Sequence, residues 1–485
     1  MKRTFIINLI LLVFLNLLVK PFWIFGIDRT VQNTVGAHDY GIYAALFSLS
    51  IILNIFLDMG ITNFNNRNIA RHNHLLSKYF SNMVMLKLLL AVVYGAIGGI
   101  IGLFLNFDAQ RWLLFAFLLF NQFLLSFILY LRSNISGLQY FKTDSLISVI
   151  DRLLLIGLCG FLLLNYRQQF SIEWFVYAQT VSYGLTALIA FVFVYRKAQF
   201  FRLRFDFTFL RLIVKQSYPF ALLVLLMGLY TRMDMVMLET ILPNGAEQAG
   251  IYAQSFRILD AVSMFSYLFS TLLLPMFARM LKQKENVGQL AHLSFLLVIV
   301  PTLVFVISTF TYKTELMSLM YDDHIGESAQ IYGILILSFI PISSAYIFGT
   351  LLTANNSLKT LNIIACGGMV LNFTLNCIVI PRYGALGAAI SSVATQYLTC
   401  AIQMIMCKTT FKFSFPFKSL VLLILFIAIN CVLCYYGKNT LSNNWIYNLI
   451  YLMLLGIAAA FAVRLFSVKD FVKIIRKQEL VVNEQ

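Results

Sequence analysis

The stretch Gly228-Leu-Tyr-Thr-Arg-Met-Asp-Met-Val-Met-Leu-Glu239, a short polar connector, and then Gly250-Ile-Tyr-Ala-Gln-Ser-Phe-Arg-Ile-Leu-Asp260 running on to Leu272-Leu-Leu-Pro275 decides the fold. It reads as two long apolar helices joined by a tight turn, with Arg232, Asp234, Arg257 and Asp260 set inside them. A charge at the centre of a bilayer costs about 3 kcal/mol or more, so each of these side chains is a candidate for pairing or for function. The connector has a twin. Gly36-Ala37 followed by Gly41-Ile42-Tyr43 recurs as Gly245-Ala246 followed by Gly250-Ile251-Tyr252 at a common offset of 209 residues, the pattern of a duplicated bundle.

Composition sets the same course. Of 485 residues, 60% are hydrophobic and 12% charged, and the mean hydropathy is +0.83, well above that of a water-soluble domain. The apolar runs are about 20 residues long and do not alternate, which calls for helices that satisfy their own backbone and excludes a β-barrel. The expected class is therefore all-α and polytopic, with about 14 transmembrane helices between residues 5–27 and 446–466. The net charge of +16 is scattered over many short loops. That is the signature of membrane topology, and it leaves no patch for nucleic acid.

With the N-terminus inside, 25 of the 36 Lys and Arg fall in inner loops and six in outer loops, which places both termini on the cytoplasmic side. The longest hydrophilic link, Arg196 to Lys215, lies inside and joins the sixth span to the seventh, and the 209-residue offset carries the start of the first span to the start of the seventh. The expected organisation is a six-helix lobe (1–196), a cytoplasmic linker (197–213), a second pseudo-symmetric six-helix lobe (214–408), and two extra helices with a cytoplasmic tail (409–485).

The search for chemistry returns transport rather than catalysis. There is no Walker-type phosphate loop, no nucleophile elbow, and no outer loop large enough for a catalytic domain. His72 and His74 share an inner loop and His38, His292 and His324 are dispersed, which leaves no cluster with metal-ligand spacing, so no metal site is expected. The Cys431-x-x-Cys434 pair sits in an apolar helix and reads as two small residues on one face. The intramembrane charges remain. Arg232, Arg257, Arg152 and Lys20 are the candidate substrate-binding cations. Asp234, Asp260, Asp151 and Asp58 are candidates for a coupling or structural ion pair. Lys87 reads as a snorkelling lysine near a span end. Asp58, at a helix C-terminus, calls for a cation such as Arg67 or Arg71. Counted from the outer ends of their helices, Asp234 and Arg257 lie at one depth of about 9 Å, so they are expected to pair, with Arg232 turned toward a cavity; the alternative is that Arg232, Asp234, Arg257 and Asp260 together lock the hairpin. Asn372 and Asn376 share a helix face and either line a lumen or tie helices together.

Several of these motifs resemble one family. Asp58-Met59-Gly60-Ile61, the paired Gly-Ile-Tyr connectors, Met233-Asp234-Met235-Val236-Met237-Leu238, and Tyr383-Gly384-Ala385-Leu386-Gly387-Ala388-Ala389-Ile390 are similar to the Wzx-type polysaccharide-biosynthesis flippases of the multidrug, oligosaccharidyl-lipid and polysaccharide exporter superfamily. The family often carries a basic residue directly after the aspartate of the seventh span, whereas here Met235 follows Asp234 and Arg232 precedes it. The resemblance implies a non-enzymatic inner-membrane protein of lipopolysaccharide or capsule assembly. Such a protein moves an undecaprenyl-pyrophosphate-linked oligosaccharide to the outer leaflet by alternating access. It implies no cofactor, leaves coupling to a proton or sodium gradient open, and makes the pathway's polymerase and glycosyltransferases, besides membrane lipid, the candidate partners. A drug/cation antiporter of the same superfamily, and a scaffold or polymerase of polysaccharide assembly, are the alternatives; the in-span arginines weigh against the former and the short outer loops against a polymerase.

Overall fold

The computed structural model describes residues 21–62, 76–198, 207–412, 417–440 and 444–463, with 19, 65, 69 and 465 as isolated positions. Every regular element among them is helical, as a backbone without water to bind requires. A π-helical turn, Trp23–Asp28, leads into α1 (Arg29–Leu53) and α2 (Ile55–Asp58), followed by α3 (Leu76–Phe104), α4 (Ala109–Gly137), α5 (Phe141–Asn165) and α6 (Ile172–Ala198). Next come α7 (Phe207–Ile241), α8 (Gly245–Lys282), α9 (Gly288–Thr311), α10 (Lys313–Met320), α11 (Ile325–Leu335) and α12 (Phe339–Ala354). The chain ends in α13 (Leu358–Phe411), α14 (Phe417–Thr440) and α15 (Trp445–Ala462).

Twelve helical segments among the described residues are long and apolar enough to cross a membrane. Two of them are broken by a glycine. Gly36 (φ 82°) interrupts α1 and Gly384 (φ 56°) interrupts α13, in a backbone region that only glycine enters freely. The break at Gly384 releases the Ala385 amide, which donates instead to Gln248 Oε1 at 2.9 Å. The 54-residue α13 thereby holds the two runs read from the sequence as separate spans. Most of the first expected span, and residues 199–206 of the 197–213 linker, lie outside the described residues; the rest of the linker belongs to α6 and α7.

Contacts divide the chain into two compact units. The first comprises Met1–Arg257, Met320–His324 and Ala365–Ser391. In it α4 packs on α6, and α1 on both α4 and α7. One core there gathers Phe80, Tyr130, Leu131, Ile135, Ile147 and Val194. The second comprises Ile258–Leu319, Ile325–Ile364 and Ser392–Gln485. There α9 packs on α12, α14 and α15 through Val300, Leu303, Val304, Phe426 and Ala460. Hydroxyl pairs, Ser266 with Ser343 at 2.8 Å and Ser270 with Thr350 at 2.6 Å, fasten α8 to α12. In lipid, where apolar contact alone does not drive helices together, such small polar residues supply the adhesion.

The duplicated connectors meet each other inside the first unit. A methyl group on Gly41 would collide with the carbonyl of Ala246, and one on Gly250 with the carbonyl of Ala37. Under the 209-residue offset Gly41 corresponds to Gly250 and Ala37 to Ala246. The two contacts are therefore one contact made twice, as a local two-fold relation demands, and they bring α1 and α8 to backbone distance. Gly41→Ala and Gly250→Ala are each expected to destabilise the protein by about 1–3 kcal/mol or more. Gly95→Ala and Gly99→Ala, where an added methyl meets no heavy atom within 4 Å, serve as tolerated controls. Thermal unfolding in detergent reads the difference.

The inside placement of both termini is checked at the ends of α8. Gly245 does not suit a cysteine, because its Cβ would strike the carbonyl of Leu238, whereas Asn244 and Gln283 are exposed. In a cysteine-free background Asn244→Cys is expected to label from outside and Gln283→Cys from inside with an impermeant maleimide. Labelling from one side would overturn the span count.

Candidate functional site

A partly open cleft of about 260 Å³, including its mouth, lies in the first unit, lined by Ala44, Phe47 and Ser48 of α1, Arg232 and Met235 of α7, and Ala253, Phe256 and Arg257 of α8. The repeat runs through this list. Ala44, Phe47 and Ser48 are the counterparts, at 209 residues, of Ala253, Phe256 and Arg257. The opposing walls are thus equivalent in position, but both cations belong to the second copy. None of the lining residues is a carboxylate.

Each candidate arginine rests on an aromatic face. The Arg232 guanidinium stands 5.1 Å from the Phe256 ring centre and that of Arg257 5.8 Å from Tyr40. Arg152 lies over Trp23 at 5.4 Å and Tyr183 at 5.8 Å. Such contacts hold a cation by its face and leave its N–H edges for hydrogen bonds. Arg152 Nη1 donates to Tyr183 Oη at 3.2 Å, and its neighbour Asp151 is 3.7 Å from Nε. Arg152 does not line the cleft. It connects to Arg257 through a run of packed rings in which Trp23 stacks on Phe175, Phe175 meets Tyr43 edge-on, and Tyr43 meets Tyr40.

The partner of Arg257 corrects the sequence reading. Arg257 is engaged by Asp28, with Nε 2.7 Å from Oδ2 and Nη2 3.2 Å from Oδ1. Tyr40 Oη donates to both carboxylate oxygens, at 3.0 and 3.1 Å, and accepts from the guanidinium. The expected Asp234–Arg257 pair is thereby replaced. Asp234, 1% exposed, instead accepts from Tyr252 Oη at 2.8 Å, Asn376 Nδ2 at 2.7 Å and Asn372 Nδ2 at 3.2 Å. Equal depth was the right condition for the two residues to meet, but helix rotation turns Arg257 toward the π-helical turn. Asn372 and Asn376 do share a face, and their target is Asp234.

Asp58 and Lys87 give a second correction. Lys87 is 1% exposed and does not snorkel. Its ammonium group spends its three protons on Asp58 Oδ1 at 2.6 Å, the Leu57 carbonyl at 3.0 Å and Ser126 Oγ at 3.0 Å. Lys87 is thus a cation at the C-terminus of α2; the expected Arg67 and Arg71 lie outside the described residues. Lys20 also lies outside them. Asp260 is half-buried in the second unit. Asp28 and Tyr40 are absent from the sequence-derived candidates, because Asp28 directly follows the expected first span, 5–27, and Tyr40 carries no formal charge. The available signal was the adjacency of Asp28 to a run that the hydropathy already assigns to a helix.

An all-helical membrane bundle of this kind has solved counterparts among membrane flippases and transporters. The lipid II flippase MurJ in an inward closed conformation superposes with a TM-score of 0.73 at 14% identity, over 96% of this chain and 100% of that one. An inward-facing multidrug resistance transporter of the MATE family and MOP superfamily gives 0.63 at 14% identity over 80% and 94%. A MOP superfamily transporter from Pyrococcus furiosus Vc1, described as having a binding pocket of reverse polarity, gives 0.56 at 14% over 84% and 94%. At such identities these likenesses concern the fold. No curated protein sequence matches this one. The family model described as polysaccharide biosynthesis protein matches residues 8–281, more than half of the chain, and the protein belongs to that family. Its family and structural neighbours are membrane flippases and transporters, not enzymes.

The Lys87–Asp58 junction is tested by a coupled pair of substitutions. Asp58→Leu alone strands the buried Lys87 ammonium and is expected to cost about 3–5 kcal/mol, whereas Asp58→Leu with Lys87→Met is expected to recover most of that loss. Equal losses in the single and double variants, measured by thermal unfolding, would show that the two residues are not coupled.

Proposed function

We propose that the protein is a flippase that carries an undecaprenyl-pyrophosphate-linked oligosaccharide, an O-antigen or capsule repeat unit, from the inner to the outer leaflet of the cytoplasmic membrane. The observation that carries this reading is the cleft lined by Arg232 and Arg257 and by no carboxylate. A guanidinium matches the oxygens of a phosphate with paired, charge-assisted hydrogen bonds, and it remains protonated whatever the surroundings. A cationic drug would find no carboxylate in the lining to pair with, which weighs against an antiporter of that kind. The polyprenyl tail needs no protein cavity, since it is as soluble in lipid as the helices are.

On this reading both termini are cytoplasmic and two six-helix lobes alternate in access. The buried Asp234, held by Tyr252 and two amides, is the place where a coupling proton or sodium ion would act. Polymerase and glycosyltransferases of the same pathway are the expected partners. Proteoliposomes loaded with a fluorescent polyprenyl-pyrophosphate oligosaccharide test the assignment. Transfer to the outer leaflet is expected with the wild type and is expected to fall by about tenfold or more in Arg232→Ala or Arg257→Ala, the loss of one charged hydrogen-bonding group. Transfer at the rate of empty liposomes, or unchanged in both variants, would refute it.

A further inference from the structure

We infer that Asp28 and Tyr40 are positioning residues that hold Arg257 with one edge fixed and the other presented to a phosphate, and that this anion seat exists only while the two copies of the repeat are in contact. The inference rests on the reading of the cleft as a pyrophosphate site.

Asp28 is buried behind Arg257, with side-chain exposures of 3% and 19%. Its carboxylate takes the Nε–Nη2 edge of the guanidinium, and Tyr40 Oη takes the same two nitrogens while its ring covers one face. Nη1 has no hydrogen-bond partner among the described residues, and Arg257 lines the cleft. Its Nη1 donors are therefore uncommitted and available to an anion in the cleft. An arginine held in this way surrenders little rotamer freedom on binding, so the affinity of the seat depends on its anchors as well as on its charge.

The anchors and the arginine come from different copies. Asp28 and Tyr40 stand on the π-helical turn and α1, Arg257 on α8. The same seam carries Gln32 Nε2 donating to the Gly250 carbonyl at 3.1 Å, and Arg29 Nε and Asn33 Nδ2 donating to the Met320 carbonyl at 2.5 and 3.1 Å. When the seam parts, Arg257 loses both anchors and the seat is dismantled. Affinity then differs between the two states, which is the condition for loading a ligand on one side and releasing it on the other.

Binding of farnesyl pyrophosphate and of inorganic pyrophosphate to the detergent-solubilised full chain tests this, with a phosphate-free farnesol control. Asp28→Asn is expected to raise the Kd of both probes about tenfold, and Arg257→Gln at least as much. The double variant is expected to bind no more weakly than Arg257→Gln alone, because a positioning residue has nothing left to position. Tyr40→Phe keeps the ion pair and is expected to show a smaller loss in the same direction, and it decides the matter if Asp28→Asn does not fold. Unchanged or tighter binding in Asp28→Asn and Tyr40→Phe, additive losses in the double variant, or a loss confined to the farnesyl probe would overturn the positioning role while leaving the pyrophosphate site standing. Binding by Arg257→Gln and Arg232→Gln at wild-type affinity, or no binding by the wild type, removes the site itself and the positioning role with it.

Discussion

A charged side chain taken out of water loses more hydration than any single neighbour returns, so it persists inside a helical bundle only where several donors or acceptors converge. Three such points organise the first unit. Lys87 of α3 meets Asp58 and Leu57 of α2 and Ser126 of α4. Asp234 of α7 meets Tyr252 of α8 and the two asparagines of α13. Asp28 meets Tyr40 of α1 and Arg257 of α8. Each charge is thus a junction of three elements, and the requirement for several partners decides which helices are neighbours where apolar contact with lipid would not discriminate between them. The close backbone approach at Gly41 and Gly250 then sets how near those neighbours come.

The parts of this architecture that depend on one-dimensional quantities were legible in the chain. Run length and composition require helices, and the recurrence of Gly-Ile-Tyr at 209 residues announces a duplication. Even the i, i+4 spacing of Asn372 and Asn376 announced a shared face. What could not be read was azimuth. Each residue turns an α-helix by about 100°, so a pairing judged from depth alone leaves the direction of the side chain undetermined. Asp234 and Arg257 are a case in point, since a suitable depth does not tell whether Arg257 looks toward α7 or toward the π-helical turn. The π-helical turn adds to the difficulty. Its wider winding changes the phase of Trp23–Asp28 relative to an ordinary helix, and no composition signal marks it.

The duplication explains both what the two halves share and where they part. Small and aromatic positions kept their places, so Ala44 and Phe47 face Ala253 and Phe256 across the cleft, and the reciprocal glycine contacts preserve the spacing. The charged positions did not. Ser48 stands where the second copy has Arg257, and Trp23 where it has Arg232. The carboxylate and tyrosine partners have moved as well, since the counterparts of Asp28 and Tyr40 are Met237 and Ala249, and that of Asp234 is Phe25. Backbone packing constrains both copies at once, because a change in either glycine damages the single contact they make together. A charge is constrained only by its own partners and is free to be lost from one copy. A cleft with symmetric walls and cations on one side follows. An anionic headgroup drawn to Arg232 and Arg257 would sit against α7 and α8, leaving the Phe47 and Ala44 wall of α1 as an uncharged surface. On the proposed reading of the cleft, the asymmetry would give an anionic ligand a defined orientation that a faithful copy of the repeat would not impose.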